Sequence, residues 1–274
     1  MKFLTSLGEV PELKKENVHI RDETELLQKL NKMIQDGHAK LQIVTDFDHT
    51  LTRHTLDNGN TVLTSFGMFR ECPSIPQHYK DEDNRLSGIY KPIECDPVMS
   101  IEEKTKHMID WYVAAHALLK RGVEDMITWS KTQQVPVLVF SAGLGESVLA
   151  AMKAANFLLP HVKVVSNFLA MDENDFIVGI KGEVIHTYNK NETAIKHTEY
   201  YDMVQQRSNV ILMGDNIGDA GMAEGMEHCD VVVKVGFLGN NAEGNLKNYL
   251  NKFDIVLVNE PSVDVVNAIL KFIL

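Results

Sequence analysis

Apolar and polar positions along this chain recur with two different periods, and the places where the period changes outline its elements. Between Asp22 and Gly37, the residues Leu26, Leu27, Leu30, Met33 and Ile34 fall at helical spacing, and Gly37 is placed to end the helix. Directly after it, Leu41, Ile43 and Val44 make an apolar run of strand length. That run stops in the polar stretch Thr45-Asp46-Phe47-Asp48-His49-Thr50-Leu51-Thr52. Residues 53 to about 99 then contain several Pro, Asn and Gly positions and little periodicity. Ser100-Ile101-Glu102-Glu103 reads as a capping box. It opens a helix with Met108, Trp111, Tyr112, Ala115, Leu118 and Leu119 on one face and Gly122 at its end, and a second helical stretch covers 123–134.

From Val135 the alternation becomes regular. Strands are predicted over 135–141, 162–166, 209–213, 231–233 and 254–258, with helices over 146–156, after Lys190, after the 214–219 turn, before 254 and over 263–274. Two short alternating runs around 176–178 and 183–187 suggest a hairpin. Strands that are almost continuously Val, Ile and Leu, alternating with helices, predict an α/β fold: a Rossmann-like, doubly wound parallel sheet covered on both faces. The aperiodic region is the exception. It predicts a mostly helical cap, 53–135, inserted after the first strand over the carboxyl edge of a core formed by 1–52 and 136–274.

Composition narrows the partners. At 274 residues, 44% hydrophobic and 24% charged, the chain is ordinary for a globular protein and long enough for one large core plus an insertion. A net charge of -11 argues against a nucleic-acid polymer or an anionic membrane as partner, though not against a small anion held at a local positive site. Cys72, Cys95 and Cys229 are odd in number and far apart, which excludes a recognisable zinc site or disulfide framework and fits a reducing compartment. The N-terminus lacks a sustained apolar region, and no apolar run approaches a membrane span, so a cytoplasmic protein is expected; a monomer is the separate expectation for its assembly.

Candidate chemistry lies just after strands. Side chains two apart on a strand share a face, so Asp46 and Asp48 emerge together, and two carboxylates so placed repel unless a cation or a shared proton intervenes. Thr50 follows on the same turn, Ser141 and Ala142 end the second strand, Lys190 follows the excursion, and Asp215 and Asp219 sit in the turn after Met213. Taken singly these are common features: an Asx-rich turn, a strand-end serine, a surface lysine, a helix cap. In one parallel sheet all four strand ends gather at one edge, where ligands bind. Carboxylate oxygens suit Mg²⁺; a lysine, a hydroxyl and free backbone N–H groups suit phosphate oxygens. One carboxylate can attack phosphorus while its neighbour moves protons.

In order and spacing, Asp46-Phe47-Asp48-His49-Thr50, Ser141, Lys190 and Gly214-Asp215 with Gly218-Asp219 resemble the four motifs of the haloacid dehalogenase-like hydrolases. Longer runs, among them Phe140-Ser141-Ala142-Gly143-Leu144-Gly145, Val164-Val165-Ser166-Asn167-Phe168 and His186-Thr187-Tyr188-Asn189-Lys190-Asn191, are similar to the cytosolic pyrimidine 5'-nucleotidase family, including its relative acting on 7-methylguanosine monophosphate. The resemblance runs from about residue 18 to the end. It implies a Mg²⁺-dependent 5'-nucleotidase that hydrolyses CMP, UMP or 7-methylguanosine monophosphate through an aspartyl-phosphate, with phosphotransfer to a nucleoside as a side activity.

By that resemblance Asp46 is nucleophile and metal ligand, Asp48 is acid/base and lends the metal its carbonyl, and Asp215 is the other protein ligand, with Asp219 and Thr50 in support. Ser141, the Ala142 amide and Lys190 hold phosphate, and Glu94 on the cap selects the base. Three departures stand out: Ala115 where the pyrimidine enzyme has serine, His49 in place of an apolar residue, and a cap shorter by about one helix between Ala115 and Gly122. The short cap keeps two other readings in view. One is a phosphatase of the same chemistry on another small phosphate; the other is a nucleotide-binding protein of low turnover.

Overall fold

The computed structural model describes residues 3–56, 59–65, 67, 121–173, 177–186, 189–191, 195, 196, 198–226, 228–239 and 242–273. Its strands are β1 (Val18–Ile20), β2 (Leu41–Thr45), β3 (Val137–Leu144), β4 (Val162–Asn167), β5 (Leu169–Met171), β6 (Ile177–Ile180), β7 (Asn209–Gly214), β8 (Val231–Leu238) and β9 (Ile255–Val258). The α-helices are α1 (Glu23–Asp36), α2 (Val123–Thr132), α3 (Gly145–Ala154), α4 (Glu199–Val204), α5 (Ala242–Leu250) and α6 (Asp264–Leu270).

Seven strands form one sheet in the order β1-β9-β8-β7-β2-β3-β4. All neighbours pair parallel except β1, which runs antiparallel along β9. Central β2 is buried along its whole length, and its side chains divide between the two faces at the strand period. Leu41 and Ile43 enter one hydrophobic cluster and Val44 the other; Ile211 and Met213 of β7 divide from Val210 and Leu212 in the same way. A sheet covered on both faces needs apolar residues at consecutive positions, which is why these strands read as unbroken apolar runs. The Rossmann-like core expected from the sequence is therefore present.

Helix α1 begins where the side chain of Asp22 accepts hydrogen bonds from the amides of Thr24 and Glu25. It ends at Gly37, whose φ of 72° lies in the left-handed region that glycine tolerates. Because β3 and β7 flank β2, the chain leaves the carboxyl end of β2 between two strands that also point there. That is the switch-point crevice in which such sheets place ligands.

Four features depart from the expected elements. Strand β1 was not anticipated: it is three residues long and held by its neighbours, the Arg21 amide donating to the Asp254 carbonyl and the Arg21 guanidinium and Lys29 ammonium to the buried Asp254 carboxylate. Strand β8 continues five residues beyond the expected 231–233, to Leu238. The hairpin pairs β5 with β6 rather than 176–178 with 183–187. Gly182 turns the chain at a φ of 71°, and the Ile185 backbone then bonds the Asn167 side chain instead of a strand. Finally, α2, expected to close the insertion, lies on the core, with Val123, Met126 and Ile127 in the cluster that holds Val137 and Val139. The helix expected from Ser100 to Gly122 falls almost wholly outside the described residues.

Candidate active site

Where β2 ends, the chain closes into a tight turn around one carbonyl. The amides of Thr50, Leu51 and Thr52 all point to the Phe47 oxygen, at 3.3, 2.9 and 3.0 Å. His49 adopts a φ of 56° to make the turn, and its amide is taken by the Thr52 hydroxyl at 2.8 Å. The His49 ring packs tilted against His54, with ring centroids 4.7 Å apart, beside a cavity of about 360 Å³ that Asp215 also lines. Thr50 is buried, and its hydroxyl has no hydrogen-bond partner among the described residues.

The turn leaves Asp46 on the β7 side, its amide donating to the Met213 carbonyl at 2.9 Å. Lys190 reaches it from the loop after β6 and is itself buried, 5% exposed. The ammonium donates to Asp46 Oδ1 at 2.5 Å and to Asp219 Oδ1 at 2.9 Å. Asp219 Oδ2 accepts the Asn216 amide at 2.9 Å, while the Asn216 side chain accepts from Gly218, so the turn after β7 is a closed capping box. Asp215 completes the group: one carboxylate oxygen from each of Asp46, Asp215 and Asp219 lies within 4.8 Å of the others.

Three carboxylates and one ammonium leave excess negative charge in a buried place. Burial pushes Asp46 up, against the pull of Lys190. Burial, with Asp46 and Asp219 nearby, holds Asp215 well above the usual carboxylate range, and Asp219 is pushed up to about 6 by burial and Asp46. For Lys190 burial acts downward, but Asp46 and Asp219 outweigh it and the net shift is upward. A hard cation among the three oxygens would neutralise this excess, and carboxylate oxygen is the donor type it prefers. The group fits a metal ion.

Asp48 has other hydrogen-bond partners. Its Oδ1 accepts the Ser65 amide at 2.8 Å and its Oδ2 the Ser65 hydroxyl at 2.7 Å. The neighbouring strand end is irregular: the β3–β4 register shifts between Phe140 and Leu144, and the Ser141 hydroxyl accepts the Gly143 amide at 3.0 Å. Two residues of β4 hold that bulge, Ser166 donating to the Gly143 carbonyl and Asn167 to the Ala142 carbonyl, each at 2.8 Å. A Cβ on Gly143 would lie 1.9 Å from Ser65 Oγ, 2.9 Å from Asp48 Oδ2 and 3.0 Å from Ser141 Oγ, so only glycine lets these groups converge.

Of the residues singled out from sequence, Asp46, Lys190, Asp215 and Asp219 thus form one contact group, while Asp48 and Ser141 meet around Gly143. Ala142 is half-buried between them and Thr50 sits in the turn. Glu94, Ala115, Trp111 and Tyr112 lie outside the described residues. Sequence reasoning missed Ser65, Asn167 and Tyr249, whose hydroxyl donates to the Asp215 carbonyl at 2.6 Å. Asn167 had a signal, standing in a polar pair at a strand end. Ser65 had none, because it follows Asp48 by 17 residues in a stretch without period.

This fold has solved neighbours among the phosphatases. Phosphoserine phosphatase in its apo form shares the fold at 19% identity and a TM-score of 0.50, over 86% of this chain and 99% of that one. Closer likenesses resolve the family. The profile of the pyrimidine 5'-nucleotidases (UMPH-1) matches residues 49–123 and 119–274. The 7-methylguanosine phosphate-specific 5'-nucleotidase of Drosophila melanogaster is 39% identical over 290 residues, 97% of this chain and 90% of that protein. The human protein of that name is 31% identical over 287 residues, covering 97% and 95%. The crystal structure of cytosolic 5'-nucleotidase IIIB bound to cytidine superposes with a TM-score of 0.86 at 37% identity, over 98% of each chain. The chain belongs to the pyrimidine 5'-nucleotidase family, hydrolases of phosphate monoesters, as its motifs implied.

Proposed function

We propose that this protein is a Mg²⁺-dependent 5'-nucleotidase, cleaving CMP, UMP or 7-methylguanosine monophosphate to nucleoside and phosphate through an aspartyl-phosphate on Asp46. The observation that carries the reading is the buried Lys190 bridging Asp46 and Asp219 beside Asp215. Lys190 pulls Asp46 toward its ionised form against burial, and two of its three N–H donors are committed to carboxylates, which leaves one for a phosphate oxygen. The Ser141 hydroxyl and the Ala142 amide would take other phosphate oxygens. Asp46, Asp215 and the Asp48 carbonyl would hold Mg²⁺, which supplies positive charge against the phosphoryl oxygens.

In the first step an Asp46 oxygen bonds phosphorus while the bond to the nucleoside 5'-oxygen breaks, and Asp48 gives that oxygen its proton. In the second, Asp48 takes a proton from water as the water oxygen bonds phosphorus and the Asp46 carboxylate departs. A nucleoside hydroxyl in place of water makes phosphotransfer a side reaction. We assign substrate selection to the insertion, read by sequence as 53–135 but with its last helix, α2, on the core, and Glu94 to accepting from donors on the base. We place the protein in the cytoplasm as a monomer; among the described residues no helix is long and apolar enough to cross a membrane, and a 37% identical relative is a cytosolic 5'-nucleotidase.

Phosphate release with Mg²⁺ is to be compared across CMP, UMP, AMP, GMP and 7-methylguanosine monophosphate. Release confined to the pyrimidine or 7-methylguanosine nucleotides is expected, and Glu94→Ala should reorder the ranking. An unchanged ranking would remove Glu94 from base selection; silence on every substrate would sink the nucleotidase reading.

The acidic cluster also predicts how metal and pH interact. Asp219 titrates at about 6 in the folded chain against 3.8 ordinarily, so the folded state holds a proton that the unfolded state has released. Its contribution to stability is present below the unfolded value and is lost as pH rises through about 6. A cation replaces that proton. The rise in Tm on adding magnesium chloride to chelator-treated protein is therefore expected to be larger at about pH 7.5 than at about pH 5. Equal rises would show that these carboxylates do not bind the ion.

A further inference from the structure

We propose that Ser65 is the positioning residue for Asp48, setting from within the inserted segment the direction in which the acid/base carboxylate faces. The inference rests on the reading of Asp48 as the proton carrier and goes beyond it, since nothing in the four motifs points to Ser65. Both oxygens of Asp48 are engaged by this one residue, Oδ1 by its amide at 2.8 Å and Oδ2 by its hydroxyl at 2.7 Å. A carboxylate gripped at both oxygens has its side-chain rotation stopped, whereas one gripped at a single oxygen can still swing.

Ser65 is itself held. It is fully buried, and its hydroxyl oxygen accepts the Leu144 amide at 3.2 Å, which orients the hydroxyl proton toward Asp48. Gly143 supplies the space, its missing Cβ being the point where Ser65 Oγ, Asp48 Oδ2 and Ser141 Oγ converge. The clasp therefore fixes Asp48 beside Gly143 and Ser141, at the strand end whose serine and amide are proposed to take phosphate. An acid fixed there stands on the side from which a phosphate-bound leaving oxygen would be met. Two features of the chain thereby acquire a purpose: the glycine after Ser141-Ala142, and a serine in an otherwise aperiodic stretch 17 residues beyond Asp48. The segment that begins the insertion is joined to the proton-transfer group itself.

The test uses the full chain with Mg²⁺ and the preferred nucleotide, measuring kcat, KM, the magnesium concentration for half-maximal rate, and Tm. Ser65→Ala keeps the amide and removes the hydroxyl. It should lower kcat about tenfold while KM and the magnesium requirement stay within about twofold. Ser65→Cys, close in shape and a weaker donor, should recover part of kcat, and it carries the comparison if Ser65→Ala does not fold. Unchanged kcat in Ser65→Ala overturns the proposal. So does a loss in which KM and the magnesium requirement move as far as kcat, since that marks a general disturbance of the centre. Asp48→Asn run alongside separates the two readings: if it turns over like wild type, Asp48 is not the acid/base and the parent reading fails. If it is inactive while Ser65→Ala is not, only the positioning role fails.

Discussion

Asp46→Asn is expected to reduce phosphate release by about a thousandfold or more while leaving the chain folded. The amide oxygen is too weak a nucleophile to bond phosphorus, and the remaining groups can only bind and orient the substrate. Stability should change little. Asp46 is buried beside two other carboxylates, so losing its charge relieves repulsion, and the same step weakens the bond from Lys190 at Oδ1. The assay is phosphate release from CMP, UMP and 7-methylguanosine monophosphate with Mg²⁺, beside a thermal melt. Equal release by variant and wild type would show that the reaction does not pass through this carboxylate.

Lys190→Met carries the second large effect, and it acts on both activity and stability. The ammonium is buried and paired with Asp46 and Asp219. Removing one side of a buried ion pair leaves charges without compensation, a cost of about 3–5 kcal/mol. The same change removes the cation we propose to face the phosphate, for an expected loss of about a hundredfold or more in kcat/KM. The pH dependence follows from sign. Without the ammonium the Asp46 and Asp219 carboxyls rise further above their unfolded values, so the variant's deficit in stability should be small near pH 5 and grow toward pH 8. Urea unfolding at both pH values in chelator measures it. A deficit that does not grow with pH would mean that the carboxylates are neutralised by something other than Lys190.

The two variants also mark how unevenly the site could be read in advance. Asp46, Asp48, Asp215 and Asp219 were legible because each lies within a few residues of an apolar strand, and a parallel sheet brings strand ends together. Lys190 was legible through its place in the run 186–191 and through the resemblance, since alone it reads as an ordinary surface charge. Its burial was not legible, because it depends on how the loop after β6 folds back: Asn189 binds the Val184 carbonyl and the His186 amide, and Asn167 binds the Ile185 backbone from β4. None of those pairings has a period. The same holds for β1, three residues long and held through Asp254 and its ion pairs, and for α2, whose apolar face suits a cap or a core equally until its neighbours are known.

What the sequence by itself determined was the architecture and the class of chemistry. Unbroken apolar strands alternating with helices call for a sheet covered on both faces, carboxylates gathered at strand ends repel unless a cation or a shared proton intervenes, and the resemblance of the motifs named the chemistry. What only the tertiary structure decided was how those carboxylates divide. Asp46 and Asp48 are two residues apart and equivalent in any sequence pattern, yet one faces Lys190 and the acidic turn while the other faces Ser65 and Gly143. The physical reason is that a side chain's direction at the end of a strand is set by the partners that accept or donate to it. Here those partners come from the loop after β6 and from the start of the insertion, at sequence separations of 144 and 17 residues.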